Sequence, residues 1–338
     1  MTGKCLGFDI GSVNMRIFTK SGIIYSEPSC AAVDKSSGKF VAFGRKAYNM
    51  IGREPNSVEI KFPFRAGVES EIELTIEIIK RFIDNVCSGS IFKPNIIATV
   101  PYYMSGLEKK TILDAIFLSG AKRACLVPKS FASAIGAGIN FKKADGIMIS
   151  EIGGGMIETS VLTMKEIAYS SYSRIGSDDI NFEIIRSLRK DRNIEIGYLT
   201  AENIKQKIGS AIRRGEEIAL IESGKNSITG VPINFEVTSS EIYLIVKNKI
   251  DEIASTIIEC FEKTPPELTD DVSRNGIILS GSGAKLNGLS DYIQRETGIN
   301  VTIAKNCGNC CALGAMKSIK NINSLKKTSI GFKYLNEF

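Results

Sequence analysis

Two stretches of the chain carry the same succession of apolar and polar positions. "CLGFDIGSVNMRIFTKSGIIY" (residues 5–25) runs through an apolar segment, an acid, a small-residue turn and two further apolar segments. "GIMISEIGGGMIETSVLTMKEIAYSSY" (146–172) repeats that order. Short apolar runs separated by glycine and serine predict strands joined by tight turns. The repetition predicts two related α/β halves. In each half an acid ends the first strand, Asp9 in one and Glu151 in the other. Gly11 and Ser12 then make one turn, and Gly153, Gly154 and Gly155 the other.

Between and after these hairpins the period changes. Ile72, Ile76, Ile79 and Ile83 in "EIELTIEIIKRFIDNV" have helical spacing. "PNIIATV" is a continuous apolar run and predicts a buried strand. "SGLEKKTILDAIFLSG" starts with a serine cap and stops at Gly120, which predicts a helix. "DDINFEIIRSLRK" and "TAENIKQKIGSAI" predict helices of a smaller subdomain. "SSEIYLIVKNKIDEIASTIIECFEKT" predicts a long helix that ends before Pro265 and Pro266. "IILSGSGAKLNGLSDYI" predicts a strand, a glycine turn and a helix. Segment 212–230 is expected to hold the most flexible loop. No low-complexity linker divides the chain, so the halves are expected to pack together over a cleft.

The 338 residues are enough for two domains with sizeable cores, and 43% hydrophobic with 24% charged residues is a soluble globular composition. No apolar run approaches the length of a membrane span, and the opening reads as a strand rather than a signal peptide. The net charge of +6 comes from dispersed basic residues, without the pattern of a nucleic-acid groove. It leaves attraction to an anionic membrane surface open. There is no histidine, which removes Ser-His, Cys-His and His-metal chemistry. Of the eight cysteines, Cys307, Cys310 and Cys311 in "NCGNCC" lack a second pair at zinc-finger distance, so small buried thiols are the favoured reading.

The turns suggest the chemistry. Backbone N–H groups in a glycine turn can surround phosphate oxygens, because no side chain blocks their approach. The preceding acids, Asp9 and Glu151, can hold Mg²⁺, usually through water. A strand running into Gly281, Ser282 and Gly283 is a third nucleotide-binding geometry. One glycine loop is weak evidence; three in this order are stronger.

Over nearly its whole length the chain resembles MreB, the bacterial actin family of the actin/Hsp70/sugar-kinase superfamily. It looks like a divergent paralogue of the type found in wall-less helical bacteria. "FDIGSVN" is similar to the family's first phosphate loop. "EPSCAAVD", "EIGGGMIETSVL", "SRIGSDDIN", "TAENIKQKIGSA" and "GIILSGSGAKLNGL" follow the family's order, and "EKTPPEL" is close to diagnostic. The resemblance implies an actin-like α/β fold, with two duplicated domains around a nucleotide cleft, each with a smaller inserted subdomain. Residues 1–34, 80–147 and 315–338 would form subdomain IA and 35–79 subdomain IB. Residues 148–183 and 251–314 would form IIA, and 184–250 would form IIB. ATP or ADP with Mg²⁺ would lie between the halves. By position, Ser12, Val13 and Asn14 would serve the phosphate end, and Gly153, Gly154 and Gly155 would wrap the β- and γ-phosphates. Glu202, Asn203 and Lys205 would approach the nucleoside, as would Gly281, Ser282, Gly283 and Ala284. Asp9 and Glu151 would face the metal.

Besides Pro128 and Glu151, which replace a glutamate and the usual aspartate of the family, three positions of the catalytic set depart from the resemblance. Members usually carry two threonines after the glycine triplet, where this chain has Met156 and Ile157. Lys129 stands where they carry a glutamate. Those groups would hold the water that attacks the γ-phosphate, so no intact catalytic set is expected and hydrolysis should be slow. Ser130, Glu151 or Glu158 could take over the water. The implied function is a cytoplasmic filament protein governing cell shape or shape-based motility, assembling with itself or with paralogous subunits. Ile91 and Phe92 in "CSGSIFKPN" would touch the inner face of the cell membrane. A non-polymerising ATP-binding adaptor is the alternative; a small-molecule kinase is less favoured, because no dedicated substrate segment is found.

Overall fold

The computed structural model describes residues 4–22, 24–64, 71–88, 92–139, 145–164 and 166–318. The repeated sequence pattern becomes a repeated sheet. In the first half the strands are β1 (Cys5–Ile10), β2 (Asn14–Thr19), β3 (Ile24–Pro28), β7 (Asn95–Val100) and β8 (Arg123–Pro128), in the order β3-β2-β1-β7-β8. In the second half they are β9 (Ile147–Ile152), β10 (Ile157–Thr163), β11 (Glu166–Ser173), β15 (Ile277–Ser280) and β16 (Val301–Ile303), in the order β11-β10-β9-β15-β16. Both sheets pair their first strand antiparallel with the hairpin partner and parallel with the strand on its other side. Each hairpin therefore projects its turn from the same end of its sheet.

A small three-stranded sheet accompanies each large one. β4 (Ala31–Asp34), β5 (Phe40–Phe43) and β6 (Val58–Lys61) form the first, next to the short helix α1 (Arg45–Tyr48). β12 (Ile194–Glu195), β13 (Ala219–Asn226) and β14 (Pro232–Thr238) form the second. Within segment 212–230, expected to hold a flexible loop, residues 219–226 instead form a strand that pairs with β14. Their burial alternates strictly along the strand, but glycine, lysine and glutamate break the hydrophobic alternation that would have marked it.

The helices follow the predicted periods. α2 (Ile72–Cys87) buries Ile78, Ile79, Phe82, Ile83 and Val86, while Ile72 at its start is exposed. α3 (Gly106–Leu118) begins at Ser105, whose hydroxyl accepts from Glu108 N while Glu108 accepts from Ser105 N. α5 (Ser177–Arg192), α6 (Tyr198–Ile208) and α7 (Ser239–Glu262) fall in the expected segments, with α8 (Pro266–Asn275) after the two prolines. α9 (Leu289–Thr297) starts later than expected, because a 3₁₀ turn (Ser282–Lys285) intervenes after β15.

Two helices made largely of small residues join the halves. α4 (Lys129–Ala137) and α10 (Cys310–Ser318) pack backbone to backbone. A Cβ at Gly136 would lie 2.0 Å from Cys310 O, and one at Gly314 would lie 1.7 Å from Ala132 O. Neither position admits a side chain without separating the helices. The cysteines here are packing groups: Cys310 and Cys311 are buried, and Cys311 Sγ lies 2.9 Å from Ser133 Oγ. Among the described residues no helix is long and apolar enough to cross a membrane.

Candidate functional site

The two hairpin turns face each other across a cleft of about 820 Å³. Ser12, Val13 and Asn14 line it from one side and Gly153, Gly154 and Gly155 from the other. The turns touch. Gly155 N donates to Ser12 Oγ at 3.0 Å, and a Cβ at Gly154 would lie 2.1 Å from Val13 Cγ2. The start of α5 holds the triplet from behind, with Ser177 N donating to Gly153 O (3.0 Å) and Asp178 N to Gly154 O (2.8 Å). A bare backbone at 154 is thus already required by the approach of Val13, before any ligand is considered.

The acid of the first hairpin is engaged. Asp9 Oδ1 accepts from Lys129 Nζ at 2.6 Å and from Thr99 Oγ1 at 2.9 Å. Its Oδ2 lies 3.8 Å from the Arg16 guanidinium. Arg16 in turn donates to Ser282 Oγ at 2.9 Å, which ties β2 to the opposite half. Asp9 and Lys129 are both buried. Burial raises the Asp9 pKa, but the charges of Lys129 and Arg16 outweigh it and leave the carboxyl below its usual range. Burial likewise lowers the Lys129 pKa, and Asp9 with Glu151 more than reverses this, so the amine is held firmly protonated. Burial pushes the Glu151 carboxyl up to about 7, against the opposing pull of Lys129.

This donor set does not fit Mg²⁺. The ion needs near-octahedral oxygen at about 2.0–2.1 Å. Asp9 Oδ1 already accepts two hydrogen bonds, one from an ammonium that would repel a second cation.

Glu202 and Lys205 line the cleft from α6. Glu202 accepts from Asn181 Nδ2 (2.6 Å), Lys205 Nζ (2.7 Å) and Gln206 Nε2 (2.6 Å). Burial raises its pKa, yet Lys205 and these hydrogen bonds bring it below the usual value. Lys205 Nζ also donates to Ser177 O at 2.8 Å. Ser282 and Gly283 line the cleft as expected. Asn203, Gly281 and Ala284 do not. Asn203 sits one helical step from the cleft face of α6 and donates to Glu222 of β13. Ala284 is fully buried in the core of the second half. Gly281 adopts φ +84° and its N–H donates to Cys307 O, with Ile152 O against its Cα.

The replaced catalytic positions separate. Met156 lines the cleft, and its Sδ accepts from Tyr103 Oη at 3.8 Å. Tyr103 stacks on Tyr172 with ring centroids 3.5 Å apart. Ile157 points away from the cleft and is wholly buried in the core. Glu158 is committed to structure: its Oε2 accepts from Tyr102 N (2.7 Å) and its Oε1 from Ser130 N (3.1 Å). Both donors belong to the first half, so Glu158 pins the halves together. Ser130 is fully buried and does not line the cleft. The sequence reading missed Arg16, Thr99 and Arg174, which also line the cleft. Arg16 was legible as the one charged residue of β2, directly after the first hairpin turn. Ile91 lies outside the described residues; Phe92 is 49% exposed.

Comparison with known proteins gives the same architecture. The family model for "MreB/Mbl protein" matches residues 3–327. The chain is 33% identical over 334 residues to the cell shape-determining protein Mbl of Bacillus subtilis, covering 98% of this chain and all of that one. It superposes on the crystal structure of MreB5 of Spiroplasma citri bound to ADP with a TM-score of 0.90 at 26% identity, covering 97% and 99% of the two chains. The double-helical filament of MamK matches with a TM-score of 0.79 at 18% identity, over 94% and 99%, a likeness of fold alone. The fold is actin-like, and the chain belongs to the MreB/Mbl family.

Proposed function

We propose that this chain binds ATP or ADP in the cleft and assembles into filaments that govern cell shape or shape-based motility, with slow hydrolysis. The observation that carries the reading is the meeting of the two hairpin turns, Ser12–Asn14 with Gly153–Gly155, at the mouth of a cleft formed by two sheets of one topology. Backbone N–H groups there suit phosphate oxygens. Glu202 and Lys205 suit a ribose or base edge, and Ser282 and Gly283 line the same cleft. The related MreB5 was crystallised with ADP, and MamK forms a double-helical filament. Both facts concern those proteins and lend this reading its support.

The subdomain boundaries given above, 1–34, 80–147 and 315–338 (IA), 35–79 (IB), 148–183 and 251–314 (IIA) and 184–250 (IIB), are part of the proposal, as is a cytoplasmic location at the inner face of the membrane. Ile91 and Phe92 would add only a few kcal/mol of membrane affinity between them, so contact would depend on many subunits acting together.

Sedimentation with ATP followed by electron microscopy tests the assembly. Protofilaments with a regular subunit repeat are expected. A chain that stays monomeric at high concentration with ATP, alone and with paralogues, contradicts it. One observation favours a second reading, a non-polymerising adaptor: Lys129 and Met156 offer no carboxylate or hydroxyl to accept the proton of an attacking water, which weakens any cycle driven by turnover.

A further inference from the structure

We propose that the Lys129 ammonium is the resident cation of the cleft and makes nucleotide binding independent of divalent metal. The inference rests on the nucleotide-binding reading above. It starts from where the amine lies. Lys129 is the first residue of α4, directly after β8, and its side chain runs into the cleft between the two hairpins. Its Nζ meets Asp9 Oδ1 at 2.6 Å on the floor beneath Ser12 and Gly155, and Glu151 lines the same floor.

An ammonium carries three donors. Among the described residues Lys129 Nζ makes one hydrogen bond, to Asp9. Two donors are left at a position that lines the cleft. A phosphate oxygen accepting from them would form a short, charge-assisted bond. Asp9 meanwhile is neutralised from both sides, by Lys129 at Oδ1 and Arg16 at Oδ2, and has no uncompensated charge to offer an ion. Asp9, one of the two acids expected to face Mg²⁺, is thus occupied by a covalently attached cation that cannot be chelated away. Because the ammonium is fixed by its partner before a nucleotide arrives, no ion has to be recruited with it.

The test is ADP and ATP titration by calorimetry on the full chain, in EDTA and in excess Mg²⁺. The expected result is affinity equal within about twofold in the two buffers, a difference of under half a kcal/mol. Binding tighter by about tenfold or more with Mg²⁺ (about 1.4 kcal/mol) overturns the inference and leaves the nucleotide reading standing. No heat in either buffer, with the protein folded, overturns both. Lys129→Glu should reverse the behaviour. Three carboxylates would then share the floor, so Mg²⁺ without nucleotide should raise its melting temperature, and nucleotide binding should become Mg²⁺-dependent. A folded variant that ignores Mg²⁺ counts against the assignment. If that variant does not fold, Asp9→Asn with Lys129→Met removes the pair without leaving a buried charge. It should bind nucleotide in EDTA at least about tenfold more weakly than the parent, and unchanged affinity overturns the inference.

Discussion

Lys129 Nζ and Asp9 Oδ1 stand 2.6 Å apart, with the two side chains only 7% and 5% exposed. They come from elements 120 residues apart in sequence, the end of β1 and the start of α4. Such a pair contributes little relative to a well-packed apolar one, but breaking it leaves a buried charge. Lys129→Ala should therefore cost about 3–5 kcal/mol. Asp9→Asn combined with Lys129→Met should cost much less. Urea denaturation of the three proteins measures both, and a single mutant as stable as the parent contradicts the pairing.

The glycine at 154 makes room for Val13 as well as for a ligand. Gly154→Ala should force the hairpins apart, because its Cβ would lie 2.1 Å from Val13 Cγ2, and nucleotide binding should fall. Val13→Ala in the same chain removes the clash and should restore part of the affinity. If calorimetry shows no restoration, phosphate contact alone demands the glycine.

Glu158 joins the halves through two backbone donors, Tyr102 N and Ser130 N. Glu158→Ala leaves both N–H groups without their acceptor, and each buried unsatisfied group costs about 1–3 kcal/mol. Amide hydrogen exchange should accelerate at residues 102 and 130 first, since those are the groups released. Unchanged protection at both sites counts against a pinning role.

Glu151 gives a pH dependence of known sign. Burial raises its folded pKa from 4.5 to about 7. A carboxyl with a raised folded pKa stabilises the fold below the unfolded value and loses that contribution as pH rises towards the folded one. Its neighbours on the floor are Asp9, Lys129, Arg16 and Glu158. Stability should decline between about pH 5 and pH 7, and Glu151→Gln should flatten that slope. A slope unaltered by the substitution means that other groups carry it.

The duplicated sheets were legible because the acid-and-glycine hairpin occurs twice with the same apolar frame, and most helices because their spacing is regular. β13 was not, since only its burial alternates; the polarity of its residues does not. The cleft residues were legible where the backbone does the work, at Ser12–Asn14, Gly153–Gly155, Ser282 and Gly283. They were less so where side-chain direction decides. Asn203 and Lys205 are two residues apart on one helix, and such residues face different ways, so one points to Glu222 and the other into the cleft. Met156 and Ile157 part for a related reason: Met156 lies in the turn, while Ile157 has entered β10 and faces the core. No local pattern announced that Lys129 would close on Asp9, because the contact depends on the parallel pairing of β1 with β7 and of β7 with β8.

The most direct test of the whole account follows a single load of ATP. Protein in excess is mixed with labelled ATP, filtered to separate bound from free nucleotide, and the bound fraction is analysed over time for ATP and ADP. With Lys129 paired to Asp9 and Met156 at the turn, no carboxylate or hydroxyl in these positions accepts from the attacking water. Loss of one such group costs about two to four orders of magnitude in rate. The account predicts that ATP is retained and stays ATP at least about a hundredfold longer than on a family member with glutamate and threonine there. Conversion to ADP at that relative's rate, or no retained nucleotide at all, contradicts it.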